Sequence, residues 1–146
     1  MISARGYVVD ASVAVKWFAP EPFSEAAVAL RAAPLHAPDL LAAECANILW
    51  KKGRRGDMTW EQVERAIDLL QHADIGLHST RPLLGKIIEV ARVLDHPAYD
   101  CAYIATAWLL ELPLVTADLR LARIVGGSGA EGAKLPSVIT LAALAL

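Results

Sequence analysis

This chain of 146 residues lacks the signatures of most common chemistries, and each absence removes a class of function. It has only two cysteines, Cys45 and Cys101. Both fall in apolar, helix-capable stretches, where a buried free thiol is the expected state, and that fits a reducing, cytoplasmic setting. No Cys/His spacing resembles a zinc site. No run of 18 uninterrupted apolar residues occurs, which argues against a membrane span. Only Arg5 precedes the first apolar run as a cation, with no separate cleavable apolar segment, so no signal peptide is read. There is no G-x-G-x-x-G after the first strand, which disfavours a dinucleotide fold, and no G-x-S-x-G. Gly126-Gly127-Ser128-Gly129 is a loop that follows a helix and has no Walker lysine, so it is not a phosphate-binding P-loop. His72 and His78 have no partners at a catalytic spacing. Large charge is missing too. The net charge of -2 is not that of a protein that coats nucleic acid electrostatically. It does not exclude a nucleic-acid enzyme: with four acids committed to a metal, the remainder carries -2 + 4 = +2.

What is present is a folded chain. Hydrophobic residues make up 55% and charged residues 21%, which separates it from disordered sequences, and the length suits one domain, residues 1–146, with a real core. The stretch Tyr7-Val8-Val9-Asp10-Ala11-Ser12 organises it. Three strand-forming residues end in a carboxylate and a small hydroxyl. A helix-capable segment follows, which predicts the central strand of a covered parallel sheet. Ligands collect beyond the carboxyl ends of such strands. Leu114-Val115-Thr116-Ala117-Asp118 repeats the grammar. Each Asp can cap the next helix or hold a ligand, and Ser12 can cap or hold a ligand beside Asp10.

Helices are predicted over residues 13–18 and 24–33, and a weak strand over 35–37. Asp39 stands at a helix start, and that helix runs through Glu44 to about Lys52. Glu44, in its first turns, faces solvent or serves a ligand. The basic cluster Lys51-Lys52-Gly53-Arg54-Arg55 reads as a solvated helix end or as a set of phosphate contacts. Thr59 and Gln62 form a capping box. Trp60, Val63, Ile67 and Leu70 then make a core stripe or a face for a partner helix. A strand over 75–78 follows. The next helix buries Leu84, Ile87, Ile88, Ala91 and Leu94, and Asp95-His96-Pro97 breaks it. A helix from Tyr99-Asp100 to Leu110 is apolar nearly all round, as a centrally held helix should be. Helix 119–125, an edge strand over 136–140 and an apolar tail over 141–146 close the chain. The tail packs back or serves an oligomer contact.

Strands alternate with helices, which predicts an α/β fold, a three-layer sandwich around a mostly parallel sheet. Four acids stand at element termini: Asp10, Glu44, Asp100 and Asp118. Gathered in one cleft they would repel one another, and a divalent cation removes that penalty. Hard oxygen ligands suit magnesium or manganese, which can activate water and offset charge on a phosphoryl group.

At these residues the sequence resembles the PIN-domain ribonucleases, specifically the VapC-type toxins of toxin–antitoxin pairs. The marks are Val9-Asp10-Ala11-Ser12, the run from Pro38 to Glu44, the run from Tyr99 to Ala107, and the run from Val115 to Leu121. Together they span nearly the whole chain. The resemblance puts the family's four site acids on Asp10, Glu44, Asp100 and Asp118, its small hydroxyl residue on Ser12 and the threonine of its last motif on Thr116. Cys101 replaces a commoner alanine. The resemblance implies a dimer that cuts RNA with magnesium or manganese and is held inactive by a small antitoxin. On this reading Ser12 and Thr116 support the site, and Lys51, Lys52, Arg54 and Arg55 can grip RNA backbone. Two other classes stay open: a phosphatase or phosphotransfer domain with Asp10 as nucleophile, and a non-catalytic module that binds RNA or protein.

Overall fold

A computed structural model describes residues 5–127 and 134–145. Its centre is a five-stranded sheet in the order β3-β2-β1-β4-β5, with every pair parallel. The strands are β1 (Tyr7–Val9), β2 (Leu35–Pro38), β3 (Gly76–His78), β4 (Leu114–Thr116) and β5 (Val138–Thr140). β1, β2 and β4 bury nearly every residue, which is why they read as short unbroken apolar runs. From β1 the chain steps to β2 and β3 on one side, then returns to β4 and β5 on the other. The order therefore reverses between β1 and β4, and their carboxyl ends open the crevice where ligands bind in such sheets.

Helices cover both faces. On one side α5 (Leu84–Leu94), α6 (Ala98–Leu110) and α7 (Leu119–Gly126) share a core with Val8 and Leu114. On the other, α2 (Ser24–Ala29) and α8 (Leu141–Leu144) pack on Tyr7, Val9 and Val115. α6 buries every residue from Cys101 to Ala107, which explains its nearly uniform apolar sequence. The first predicted helix is a short α1 (Ala11–Ala14) that tightens into a 3₁₀ turn over Val15–Trp17.

α3 (Leu40–Arg55) runs one turn further than its sequence suggests and ends at Gly56, whose φ of 78° is the left-handed conformation that favours glycine. Lys51, Lys52, Arg54 and Arg55 thus belong to its last turns. α4 (Trp60–Gln71) starts with the expected capping box: Thr59 Oγ1 accepts the Gln62 amide at 3.1 Å, and Gln62 Oε1 accepts the Thr59 amide at 2.9 Å. Such a cap contributes about 1 kcal/mol. Trp60 is half-exposed, and its ring lies against Gly53, where a Cβ would meet it at 2.6 Å. The stripe on α4 is therefore a packing surface against α3 as well as core. On α5, Leu84 and Ile88 are exposed, against expectation, while Ile87, Val90 and Leu94 are buried in the core shared with α6. The buried stripe starts one residue earlier than inferred, at Leu83 in a 3₁₀ turn over Arg81–Leu83, and continues through Ile87, Val90 and Leu94. Ser128 and Gly129 of the expected glycine loop, and Leu146 of the apolar tail, lie outside the described residues, while Gly126 closes α7.

Candidate active site at the carboxyl edge of the sheet

The pairing of β1 with β4 builds the first half of the site. Val9 stands opposite Val115, so the next residue of each strand, Asp10 and Thr116, emerges side by side. Thr116 Oγ1 donates a short hydrogen bond to Asp10 Oδ2. Ser12 Oγ donates to Asp10 Oδ1 and accepts the Ala117 amide at 3.0 Å. Ser12 therefore caps no helix; it ties the end of β1 to the end of β4. Asp10 also caps α1, accepting the Val13 amide at 3.3 Å. Asp10 is only 8% exposed.

The second half comes from two helices. α3 brings Glu44 and α6 brings Asp100, and both charges are close enough to Asp10 to raise its proton affinity or have theirs raised by it. Burial is the main cause at Asp10, pushing its carboxyl from 3.8 up to about 6, against the opposing hydrogen bonds of Ser12 and Thr116. Glu44 is raised too, first by burial and then by Asp100 and Asp10. The Tyr103 hydroxyl, next along α6, lies beside Glu44 and favours its charged form. Yet neither Glu44 Oε1 nor Tyr103 Oη reaches a hydrogen-bond partner. A buried carboxylate oxygen without a partner is rare unless something else is to fill it.

Asp118 is the outlying acid. Its Oδ1 accepts the amides of Arg120 at 2.9 Å and Leu121 at 3.2 Å, so it caps α7. Its own amide donates to Thr116 Oγ1 at 3.0 Å, and that hydroxyl in turn donates to Asp10, so two hydrogen bonds through Thr116 link the two acids.

Against this geometry, the PIN domain family model matches residues 7–127, from the first residue of β1 to just past the end of α7. The chain belongs to the PIN-domain family. It is 32% identical over 137 residues to Ribonuclease VapC3 of Pyrobaculum aerophilum, covering 91% of this chain and 97% of that one. It is also 32% identical over 123 residues to Ribonuclease VapC1 of Mycobacterium tuberculosis, covering 82% and 90%. Within the family it is of the VapC type. The crystal structure of PAE2754 from Pyrobaculum aerophilum superposes with a TM-score of 0.69 at 24% identity, covering 99% of this chain and 92% of that one. That likeness is one of fold.

In this PIN domain the donor set suits a hard divalent cation in kind: it is all oxygen, mutually repelling, and includes the orphaned Glu44 Oε1. Among the described residues no three His, Cys, Asp or Glu side chains stand close enough together to hold an ion as they are. Like charges without a counterion favour separation.

Two residues of this site went unread in the sequence. His96 looked like part of a helix break. Its Nε2 reaches Asp100 Oδ2 at 2.6 Å, and its side chain is 11% exposed. The spacing His-x-x-x-Asp is the signal that could have found it. Tyr103 stood in the apolar run of α6 without a role. Both thiols are inert: burial pushes Cys45 up to about 12 and Cys101 up to about 11.

The hydroxyl clasp on Asp10 is testable by itself. Thr116→Val keeps the shape but leaves Asp10 Oδ2 and the Asp118 amide short of a partner. Thermal unfolding should show a loss of about 1–3 kcal/mol, and Thr116→Ser should recover most of it. A Val variant as stable as the parent would remove Thr116 from the clasp.

Proposed function

We propose that this chain is a metal-dependent endoribonuclease toxin that hydrolyses RNA phosphodiester bonds and is inhibited by a cognate antitoxin. The observation that carries the reading is the convergence of Asp10, Glu44 and Asp100 at the β1–β4 switch point of a PIN fold whose relatives are named VapC ribonucleases.

Asp10, Glu44 and Asp100 would hold magnesium, or manganese in its place. When bound, the cation supplies Lewis acidity and positive charge against the phosphoryl oxygens. The chain's residues do the rest. Ser12 and Thr116 fix both oxygens of Asp10, so its carboxylate cannot rotate away. His96 holds one oxygen of Asp100 and sets that carboxylate's orientation. Glu44 presents an oxygen, Oε1, that no protein group satisfies and that the cation or its water can fill. Asp118, whose Oδ1 caps α7, would bind a second, weaker cation or position the water. Cleavage of RNA that needs magnesium, stops with a chelator and is lost in Asp100→Asn tests the reading; cleavage indifferent to both would reject it.

The other classes fare less well. An Asp10 nucleophile would need an acid/base partner two residues on, and that position is Ser12, whose hydroxyl is committed to Asp10 and the Ala117 amide. The turn of Asp118 toward α7 favours a binding-only module; against it, Asp10, Glu44 and Asp100 still share one crevice and feel one another's charge.

The basic end of α3 starts about 10 Å along the helix axis from Glu44, at 1.5 Å per residue, within reach of backbone flanking the cut. Lys52 is engaged elsewhere, with Glu21 at 2.5 Å, and Arg54 stacks over Trp50 at 5.4 Å. Reversing Lys51, Arg54 and Arg55 should therefore weaken RNA binding about tenfold at low salt and flatten its salt dependence. An unchanged salt slope would leave them as solvated surface. Lys52→Glu should in addition lower stability. An inhibitory antitoxin would place an Arg or Lys against Asp10, Asp100 or Asp118. The exposed Leu84, Ile88 and Val93 on α5 suit the homodimer that the resemblance implies. Among the described residues no helix is long and apolar enough to cross a membrane.

A further inference from the structure

Tyr99 immediately precedes Asp100 and is 75% exposed, an unusual state for an aromatic ring beside a candidate catalytic acid. It forms one wall of a hollow of about 430 Å³. The other walls are residues of α3: Leu40, Ala43, Glu44, Asn47 and Ile48. The hollow is thus continuous with the acidic cleft, because Glu44 belongs to both. Its lining is apolar except for Glu44, the Asn47 amide and the Tyr99 hydroxyl. An amide has both a donor and an acceptor, as the edge of a nucleobase does.

We infer that this hollow is a nucleobase-binding subsite, in which Tyr99 stacks on a base of single-stranded RNA next to the scissile phosphate and Asn47 reads that base's edge. The inference rests on the ribonuclease reading for its substrate class. Charge favours RNA over an apolar protein segment as the occupant. Lys51 lies one turn beyond Asn47 on the same face of α3, and Arg54 and Arg55 follow. A base seated in the hollow would therefore carry its backbone toward cations on one side and toward the acid-held cation on the other. Stacking on an aromatic ring needs no particular base, so Tyr99 supplies affinity and Asn47 supplies preference.

The test uses the full chain carrying Asp10→Asn, which binds without cutting. The ligands are single-stranded RNAs of about a dozen nucleotides, enough to fill a typical site, with 2-aminopurine at each position in turn. One position should be quenched on binding. Adding Tyr99→Ala should remove that quench and weaken binding about tenfold, the range of one base stacked on an aromatic. Tyr99→Phe should regain most of the loss, because the ring and not the hydroxyl stacks. With an abasic nucleotide at that position, proteins with and without Tyr99→Ala should bind alike, since nothing is left to stack. Asn47→Ala should flatten the preference among bases there while the quench persists. Equal affinity and an undiminished quench in Tyr99→Ala would overturn the subsite. So would a Tyr99→Ala protein that loses only its protein inhibitor while binding RNA as before. Cleavage by the unsubstituted chain is scored separately. A Tyr99-dependent quench without any cleavage would sink the ribonuclease reading and keep the subsite, and cleavage with Tyr99-independent binding would do the reverse.

Discussion

Asp10→Asn should abolish RNA cleavage and, in the metal-free protein, raise stability. The first effect follows from removing the most central anionic donor. Losing about 4 kcal/mol of charge stabilisation is about a thousandfold in rate. The second follows from burial. The Asp10 carboxyl is pushed from 3.8 up to about 6, so the folded protein binds that proton more tightly than the unfolded chain does. Stability from this group is fully present below about pH 4 and is lost as pH rises through about 6. A difference of that size is worth roughly 3 kcal/mol. Asparagine carries no charge and escapes this loss, but its NH₂ faces a hydroxyl that now donates toward it, from Ser12 or Thr116. The net gain should be on the order of 1–2 kcal/mol at about pH 8 and vanish near pH 4. Denaturant unfolding of both proteins across that range, in chelator, measures it. A variant less stable than the parent at the alkaline end would mean that the hydrogen bonds outweigh the buried charge.

The second large effect is the dependence of cation binding on pH. Asp10 and Glu44 are both raised, and both must lose their protons before they can act as ligands. Manganese affinity should weaken about tenfold per pH unit below about 6 and level off above about 7. Calorimetry in buffers of different ionisation enthalpy should count about half a proton from Asp10, plus the share that Glu44 adds, at about pH 6 and almost none at about pH 8. Binding should also reverse the stability profile. Without the cation, stability falls as pH rises from about 4 to about 6; with it, stability rises over the same interval. Equal affinity at about pH 5 and about pH 7.5, or undiminished binding in Asp10→Asn, would remove these carboxylates from the metal site.

How far the sequence foretold this arrangement depended on the kind of signal. The buried strands declared themselves because covering both faces makes every position apolar, as in Tyr7–Val9 and Leu114–Thr116. α6 did so for the same reason. The parallel sheet followed from the alternation of strands and helices, but its strand order did not; only the structure places β1 beside β4, where Asp10 and Thr116 meet in one crevice. Rotational phase was harder. Leu84 and Ile88 have the apolar character of core residues, yet the buried stripe of α5 starts at Leu83 and leaves them exposed. Contacts between distant elements were harder still. No periodicity links Lys52 to Glu21 or Gly53 to the ring of Trp60. Asp118 had two chemically sound roles in the sequence, and the geometry shows it capping α7. His96 was hidden because a residue before a proline reads as a break, while its ring folds back over the turn to Asp100.

The central claim is that the carboxylate crevice directs water, and not the RNA's own 2′-hydroxyl, at the phosphorus. The most direct measurement is the chemical nature of the ends left on a cleaved RNA in manganese. In-line attack by water leaves a 5′-phosphate and a 3′-hydroxyl, so the 5′ fragment should be extended by a polymerase without prior treatment, and the 3′ fragment should be ligated directly. A 2′,3′-cyclic phosphate with a 5′-hydroxyl would contradict it.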